Sequence, residues 1–375
     1  MVKKFAVIAF LFVLAFSTMA LGAEEIKIGL VTPLTGDVAT FGISTKNAVL
    51  LWEKEVNARG GILGNPVKVY WEDDKNTPSE TANAVSKLIN QNKVHVIIGS
   101  VASKCTLAGA PIADAAKVPM ISPTSTNEAV TKVGPYIFRA CFIDPFQGLV
   151  MAKFALETIK AKTAAMVYDI GNDYTKGLAE NFKKAFEAGG GKVVASETYG
   201  VGESDFSAQL TKIKRLDPDV IFLPDYYNTV GLITRQARQL GIRKAVFLGG
   251  DGWDSSELVP IAGDSIEGGF FSNHYAPGST DPVPMAFLKA YEAAYKSAPD
   301  ALAALAYDAC LIVENAIRRA GKLDRTAIRD AMATTKDLVA VSGRMTLDEN
   351  RNPIKSAVVL EVKNGKFVYK TTVNP

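Results

Sequence analysis

The sequence predicts an α/β protein built as two lobes, each a parallel sheet with helices on both faces. Short runs rich in β-branched residues alternate with longer segments of helical spacing, which is the pattern of βαβ units. The series restarts near Phe142 to Pro145, where the strand-like YIFRACF meets IDPFQG. About 350 residues remain after an N-terminal leader is set aside, more than one hydrophobic core organises, so two domains are expected.

In the first half the strand-like runs are IKIGLVTPL, VKVYWEDD, VHVIIGSV and VPMISP, separated by helical segments such as TKNAVLLWEKEVNA and SETANAVSKLINQ. In the second half they are AAMVYDI, KVVASETYG, DVIFLPDYY, AVFLGGD and GGFFSNHY, with QGLVMAKFALETIKA, GLAENFKKAFEAG and SDFSAQLTKIKRL as helices. Helices near Pro284 to Ser297 and Leu302 to Ala320 then return the chain to the first lobe. A terminal hairpin, KSAVVLEVKNGKFVYK, turns at Asn364-Gly365, a pair suited to positive φ.

The chain opens MVKKFAVIAFLFVLAFSTMALGA, in which Lys3 and Lys4 precede an apolar run from Phe5 to Phe16 and small residues up to Ala23. That order is a secretory signal peptide over residues 1–23, and the apolar run is shorter than the roughly 20 residues of a membrane span. No cysteine lies near Ala23, so a free periplasmic protein is expected rather than a lipid-anchored one. Without Lys3 and Lys4 the formal charge falls from +3 to +1, and the cations are interspersed with carboxylates, which leaves no footprint for nucleic acid. Cys105, Cys141 and Cys310 are the three cysteines, an odd count that leaves at least one free thiol; whether Cys105 and Cys141 pair stays open.

Ligands of open parallel sheets bind beyond the carboxyl ends of the strands. Those ends read PLTGDVATFG, GSVASKCT, SPTST, DIGNDYTKG, PDYYNTVG and GGDGWDSS: glycine, hydroxyls, aspartate and aromatics, with no catalytic cluster. There is no phosphate loop, nucleophile elbow, HExxH or CxxC, and His95 reads as a core histidine of its strand. Asp73-Asp74 is a surface or turn pair rather than an acid-base pair. No cofactor, metal or enzymatic activity is expected.

A site for a small zwitterion is better motivated. Ser103 either caps the helix starting KCTLAGA or helps its N-terminus hold a carboxylate. Pro123 stiffens the loop carrying Thr124 and Thr126, and Thr126 either caps the TNEAV helix or offers a hydroxyl to the ligand. Phe41, Tyr174, Tyr226, Tyr227 and Trp253 fall at strand ends of both halves, where aromatic rings either pack or wall an apolar ligand group.

At these residues the sequence resembles the periplasmic leucine/isoleucine/valine-binding proteins of ABC transporters, within the type I periplasmic binding family that also includes amide and urea binders. The resemblance spans nearly all of the chain after Ala23, most strongly in IKIGLVTPLTGDVATFG, NARGGILGNPVKVYWEDDKNTP, VIIGSVAS, MISPTST, YDIGNDYTKGLAENF and YYNTVGLITRQARQLG. It implies two doubly wound lobes joined by a three-crossing hinge and closing over one amino acid. One lobe would comprise residues 24–143 plus about 276–348, the other 144–275 plus about 349–375.

Carried over by the same resemblance, Ser103 and Thr126 hold the α-carboxylate, with backbone groups at Thr124. Tyr174, Tyr226 and Asp251 come from the second lobe, Asp251 meeting the α-ammonium, and Phe41 stands where tyrosine is common. Asp251 is one methylene shorter than the glutamate of characterised binders, and Ala102 replaces one half of a disulfide found in some of them. The implied function is capture of an aliphatic, branched-chain amino acid by a monomer and delivery to an inner-membrane ABC permease. The alternatives are another small polar ligand (a different amino acid, an amide or urea) or a periplasmic sensor.

Overall fold

The structure, a computed structural model, describes residues 24–276 and 281–375. The leader read at residues 1–23 lies outside them. Among the described residues no helix is long and apolar enough to cross a membrane.

Five parallel strands make the first sheet: β1 (Ile26–Thr32), β2 (Val67–Asp73), β3 (Val96–Ile98), β4 (Met120–Ser122) and β5 (Ile137–Arg139), in the order β2-β1-β3-β4-β5. The pleat sends alternate residues to opposite faces. Ile28, Leu30, Val96 and Ile98 therefore join the core under α1 (Ala39–Ala58), while Val31 and Ile97 join the core shared with α2 (Pro78–Asn90) and α3 (Ser103–Ala115). A short α4 (Ala129–Lys132) follows β4.

The chain leaves this sheet after Arg139 and starts α5 (Asp144–Lys153), which runs into a π-helical turn at Phe154–Ile159. The second sheet then takes β6 (Thr163–Asp169), β7 (Lys192–Tyr199), β8 (Val220–Leu223), β9 (Val246–Gly249) and β10 (Phe270–Asn273), all parallel, between α6 (Asp173–Ala188), α7 (Ser207–Leu216), α8 (Tyr227–Gln239) and α9 (Leu258–Ala262).

A second crossing after Asn273 returns the chain through α10 (Pro282–Tyr295), α11 (Ala301–Ala320) and α12 (Arg325–Ala333), and α11 shares the core of α1. A three-stranded sheet of β11 (Leu338–Ala340), β12 (Gly343–Leu347) and β13 (Pro353–Ile354) follows. Pro353 and Ile354 pair with β12, and Arg351 donates to the carbonyls of Ile137 and Thr131. Residues 349–354, expected with the second lobe, are thus tied to the first.

The third crossing is Lys355–Ser356. Beyond it the antiparallel hairpin of β14 (Ala357–Lys363) and β15 (Lys366–Val373) completes a seven-stranded sheet, β15-β14-β10-β9-β8-β6-β7. Its turn has φ of 53° at Asn364 and 70° at Gly365, both left-handed as a two-residue type I′ turn requires. The fold is thus α/β, two parallel-sheet lobes joined by three crossings. Cys105, Cys141 and Cys310 are all buried and unpaired.

Candidate functional site

The carboxyl ends of the two sheets face each other, and a narrow cavity lies between them. Phe41, Ser103 and Thr124 line it from the first lobe; Tyr174, Tyr226 and Asp251 line it from the second. These are six of the seven ligand-binding residues that the family resemblance implied. Thr126 sits behind the wall, fully buried, its hydroxyl without a hydrogen-bond partner. Val101, Gly252 and Leu302 complete the lining and were not read from sequence. Leu302 belongs to the start of α11, which the chain reaches only after its second crossing.

Local hydrogen bonding shapes the first-lobe loops. The Ser122 hydroxyl donates to Ser100 O and accepts from Ser125 N, while the Thr124 and Ser125 hydroxyls each donate to Val101 O at 3.0 Å. Two strand ends are stitched together, and the Thr124 hydroxyl is engaged with Val101 O. Ser103 is the first residue of α3, not its cap: Ala102 occupies the cap position without a side-chain bond. The Ser103 hydroxyl instead accepts from Asn127 N at 3.2 Å, which leaves its proton free to donate. Thr126 is no cap either, since α4 begins two residues after Asn127, whose carboxamide oxygen accepts from Ala129 N.

Asp73 and Asp74 have comparable structural duties. Against the upward push of burial, the Thr35 hydroxyl and the N–H groups of Lys75, Leu34 and Thr35 donate to Asp73 and hold its carboxyl below the usual range. Asp74 is buried beneath Ser100 and Thr81, and burial raises it. His95 lies just ahead of β3 and is only partly buried, accepting from Lys27 N at 3.0 Å, so it sits at the entry to a central strand rather than in the core.

On the second lobe, β9 ends in Gly249-Gly250 and turns through a single 3₁₀ turn, Asp251–Trp253. A Cβ on Gly250 would come within 2.8 Å of the Tyr174 hydroxyl and one on Gly252 within 3.1 Å, so this close approach needs glycine on both sides of Asp251. Asp251 Oδ1 accepts from Gln147 Nε2 at 2.8 Å and from Tyr174 Oη at 2.9 Å. Asp251 Oδ2 lies 2.9 Å from His274 Nε2. Burial pushes the His274 imidazole down to about 4, against the upward pull of Asp251, so it is neutral near pH 7 and donates through Nε2–H. Its ring stacks on Phe142 at 3.7 Å, which joins the residues just beyond β5 and β10.

The aromatic wall is continuous. Tyr174 and Tyr226 stack at 5.3 Å, and Phe41 meets Tyr226 and Tyr227 edge-on at 5.9 and 5.1 Å. Burial raises both the Tyr174 and Tyr226 phenols, and the Tyr226 hydroxyl has no partner. Trp253 is fully buried beneath the site, donating to Leu223 O, and is packing rather than lining.

The lobes also touch around the cavity. Asn127 Nδ2 donates to Asp173 O at 2.7 Å, Thr40 and Ser255 hydroxyls lie 3.0 Å apart, and Asp254 Oδ2 accepts from Ala301 N at 2.8 Å. Phe41, Val38 and Leu302 share one apolar core with Tyr226 and Tyr227. This is a closed arrangement.

Comparison with known proteins agrees with that geometry. The family model described as periplasmic binding protein matches residues 25–366. The chain belongs to the periplasmic binding protein family. It is 40% identical, with a TM-score of 0.90, to the crystal structure of a leucine binding protein, LivK, from Thermotoga maritima, over 93% of this chain and 99% of that one. It is 36% identical, with a TM-score of 0.88, to the branched-chain amino acid transporter substrate binding protein LivJ from Streptococcus pneumoniae, solved in complex with isoleucine, over 94% and 100%. A leucine-, isoleucine-, valine-, threonine- and alanine-binding protein of Pseudomonas aeruginosa is 31% identical over 84% of each chain.

Proposed function

We propose that the protein is the periplasmic receptor of an ABC transporter and that it captures an aliphatic, branched-chain amino acid between its lobes. The carrying observation is the cavity itself. It sets one carboxylate, Asp251, on the second wall opposite a free hydroxyl and a helix start at Ser103, with Phe41, Val101, Tyr226 and Leu302 as apolar lining. That is the complement of a zwitterion bearing a small hydrocarbon group.

In this reading the first lobe receives the α-carboxylate at Ser103 and Thr126 and at the backbone of Thr124. Asp251 accepts from the α-ammonium through the lone pair that Gln147, Tyr174 and His274 leave free on Oδ2. Closure adds the second-lobe contacts and shifts the population toward the closed form, which the inner-membrane permease recognises. The first lobe would comprise residues 24–143 and 276–354 and the second the remainder, in a free, unanchored monomer. The ligands named for these relatives, isoleucine among them, support the ligand class.

Leucine, isoleucine and valine should each raise the melting temperature, by the equivalent of about 2.7 kcal/mol at a hundred times the dissociation constant. Stabilisation by an amide or urea and by none of the three would overturn the ligand assignment. Native mass spectrometry of protein purified without denaturation would show a retained ligand directly.

A further inference from the structure

Behind the cavity wall, at the first residue of α5, a carboxyl group is buried with only the Thr126 hydroxyl beside it to bond. Asp144 is 1% exposed, and neither of its carboxyl oxygens has a hydrogen-bond partner. Its backbone N–H donates to Thr126 O at 3.0 Å, which pins the two residues side by side. The Thr126 hydroxyl is the other orphan of this pair. Two unmet groups in one enclosed place are unusual, because buried polar atoms ordinarily find partners.

The charged and titratable surroundings come from every side. Arg139 of β5 is fully buried, but it donates to Ser125 O at 2.8 Å and to Thr131 Oγ1 at 3.4 Å rather than to the Asp144 carboxyl. Asp251 approaches from the second lobe and Glu128 from the loop before α4, and both disfavour a second negative charge. Cys141 and the Tyr174 phenol are the remaining titratable neighbours, both buried and held in their neutral forms. From α6, a Cβ on Gly177 would lie 3.2 Å from Asp144 Oδ2, so the helix backbone closes the space.

A helix start favours an anion, but its field returns only a fraction of what removing an unpaired carboxylate from water costs. Burial accordingly pushes the Asp144 carboxyl up to about 8, with Asp251 adding to the rise and Thr126 and Arg139 opposing it.

We propose that Asp144 is a protonated carboxylic acid at neutral pH that donates to the Thr126 hydroxyl, which in turn donates to the carboxylate of the bound amino acid. The inference rests on the reading of Thr126 as a grip on that carboxylate. Asp144 is a positioning residue: it fixes which way the Thr126 O–H points. Ionised Asp144 reverses the chain, drawing the hydroxyl proton to itself and turning the Thr126 lone pairs toward the ligand. Ligand binding therefore takes up a proton from solvent when Asp144 is ionised in the empty protein.

The test is calorimetric titration of the mature protein with leucine from about pH 6.5 to about pH 9, in buffers of different ionisation enthalpy. Asp225 and Asp300, at about 7, and Lys355, at about 8, change charge in the same window, as does the free amino acid's amine above it. The readout is therefore the difference between wild type and Asp144→Asn, whose carboxamide donates but cannot ionise. The wild type should lose affinity roughly tenfold per pH unit above the midpoint and take up a proton. Asp144→Asn should lose both effects while recovering most of the affinity that Asp144→Ala forfeits.

Should the asparagine variant not fold, the comparison of wild type with Thr126→Val decides: no proton uptake by the wild type above the midpoint, or uptake unchanged in a Thr126→Val protein that still binds leucine, overturns the inference, and uptake lost in that variant upholds it. Equal pH profiles for wild type and Asp144→Asn overturn it while leaving the amino-acid reading intact. Failure of leucine, isoleucine and valine to bind either protein overturns both.

Discussion

On the first-lobe side of the cavity the polar side chains are engaged with nearby backbone, whereas on the second-lobe side they are engaged with one another across long stretches of chain. Ser122, Thr124 and Ser125 bond carbonyls and amides of two adjacent loops. Asp251 is oriented by Gln147, 104 residues away, Tyr174, 77 away, and His274, 23 away. The first wall is a backbone surface stiffened by hydroxyls, suited to a carboxylate. The second is a side-chain cage whose charge is aimed by its neighbours. One wall should therefore tolerate single changes that the other does not.

The largest effect should come from removing what the second wall rests on. Trp253 is fully buried and would lie 2.1 Å from a Cβ on Gly249, so Trp253→Ala should destabilise the protein by about 3–5 kcal/mol in urea unfolding. A loss below about 1 kcal/mol would mean that the cage does not depend on the layer beneath it.

His274 comes next, and its sign follows from its depressed value. In the unfolded chain the imidazole takes a proton below about 6.5, but in the fold only near 4, so its share of stability is lost as pH falls between those limits. At pH 4 that share is on the order of 2–4 kcal/mol. His274→Gln should flatten this part of the acid limb of the stability profile, and an unchanged limb would remove His274 from the cage.

Asp251→Asn keeps the shape and removes the charge. Loss of a charge-assisted bond of about 1.5–3 kcal/mol should weaken leucine binding roughly ten- to a hundred-fold in calorimetry. An intact dissociation constant would place the ammonium elsewhere. The smallest effect belongs to the first wall. Thr124→Val deletes one hydroxyl whose acceptor, Val101 O, still receives Ser125, and should cost about 0.5–1.5 kcal/mol in stability. A larger loss would show the first wall to be as interdependent as the second.

The same contrast explains what the sequence made legible. Alternating β-branched runs reveal parallel strands, and alternation within them, as in Val96-Ile97-Ile98, follows from a pleat buried on both faces. Strand ends then locate the cavity, because side chains that follow a strand need no long-range knowledge to be placed. Gln147, His274 and Leu302 were out of reach for the opposite reason. Gln147 lies inside a helix, His274 at a lobe crossing and Leu302 at the head of α11, and only the folded topology brings them together. The Ser103 and Thr126 capping alternatives failed on finer grounds: α3 begins one residue earlier than its hydroxyl suggested, and Asn127 supplies the local bond at α4. Asp144 reads as an ordinary helix-start carboxylate until its burial is known.

The contacts between lobes bear on time rather than affinity. Asn127 to Asp173, Thr40 to Ser255 and Asp254 to Ala301 are made by protein with protein and surround the cavity. A solute held there leaves only when those contacts part. Its residence is then governed by the opening rate of the two lobes, a property of the protein that leucine, isoleucine and valine would share even where their affinities differ.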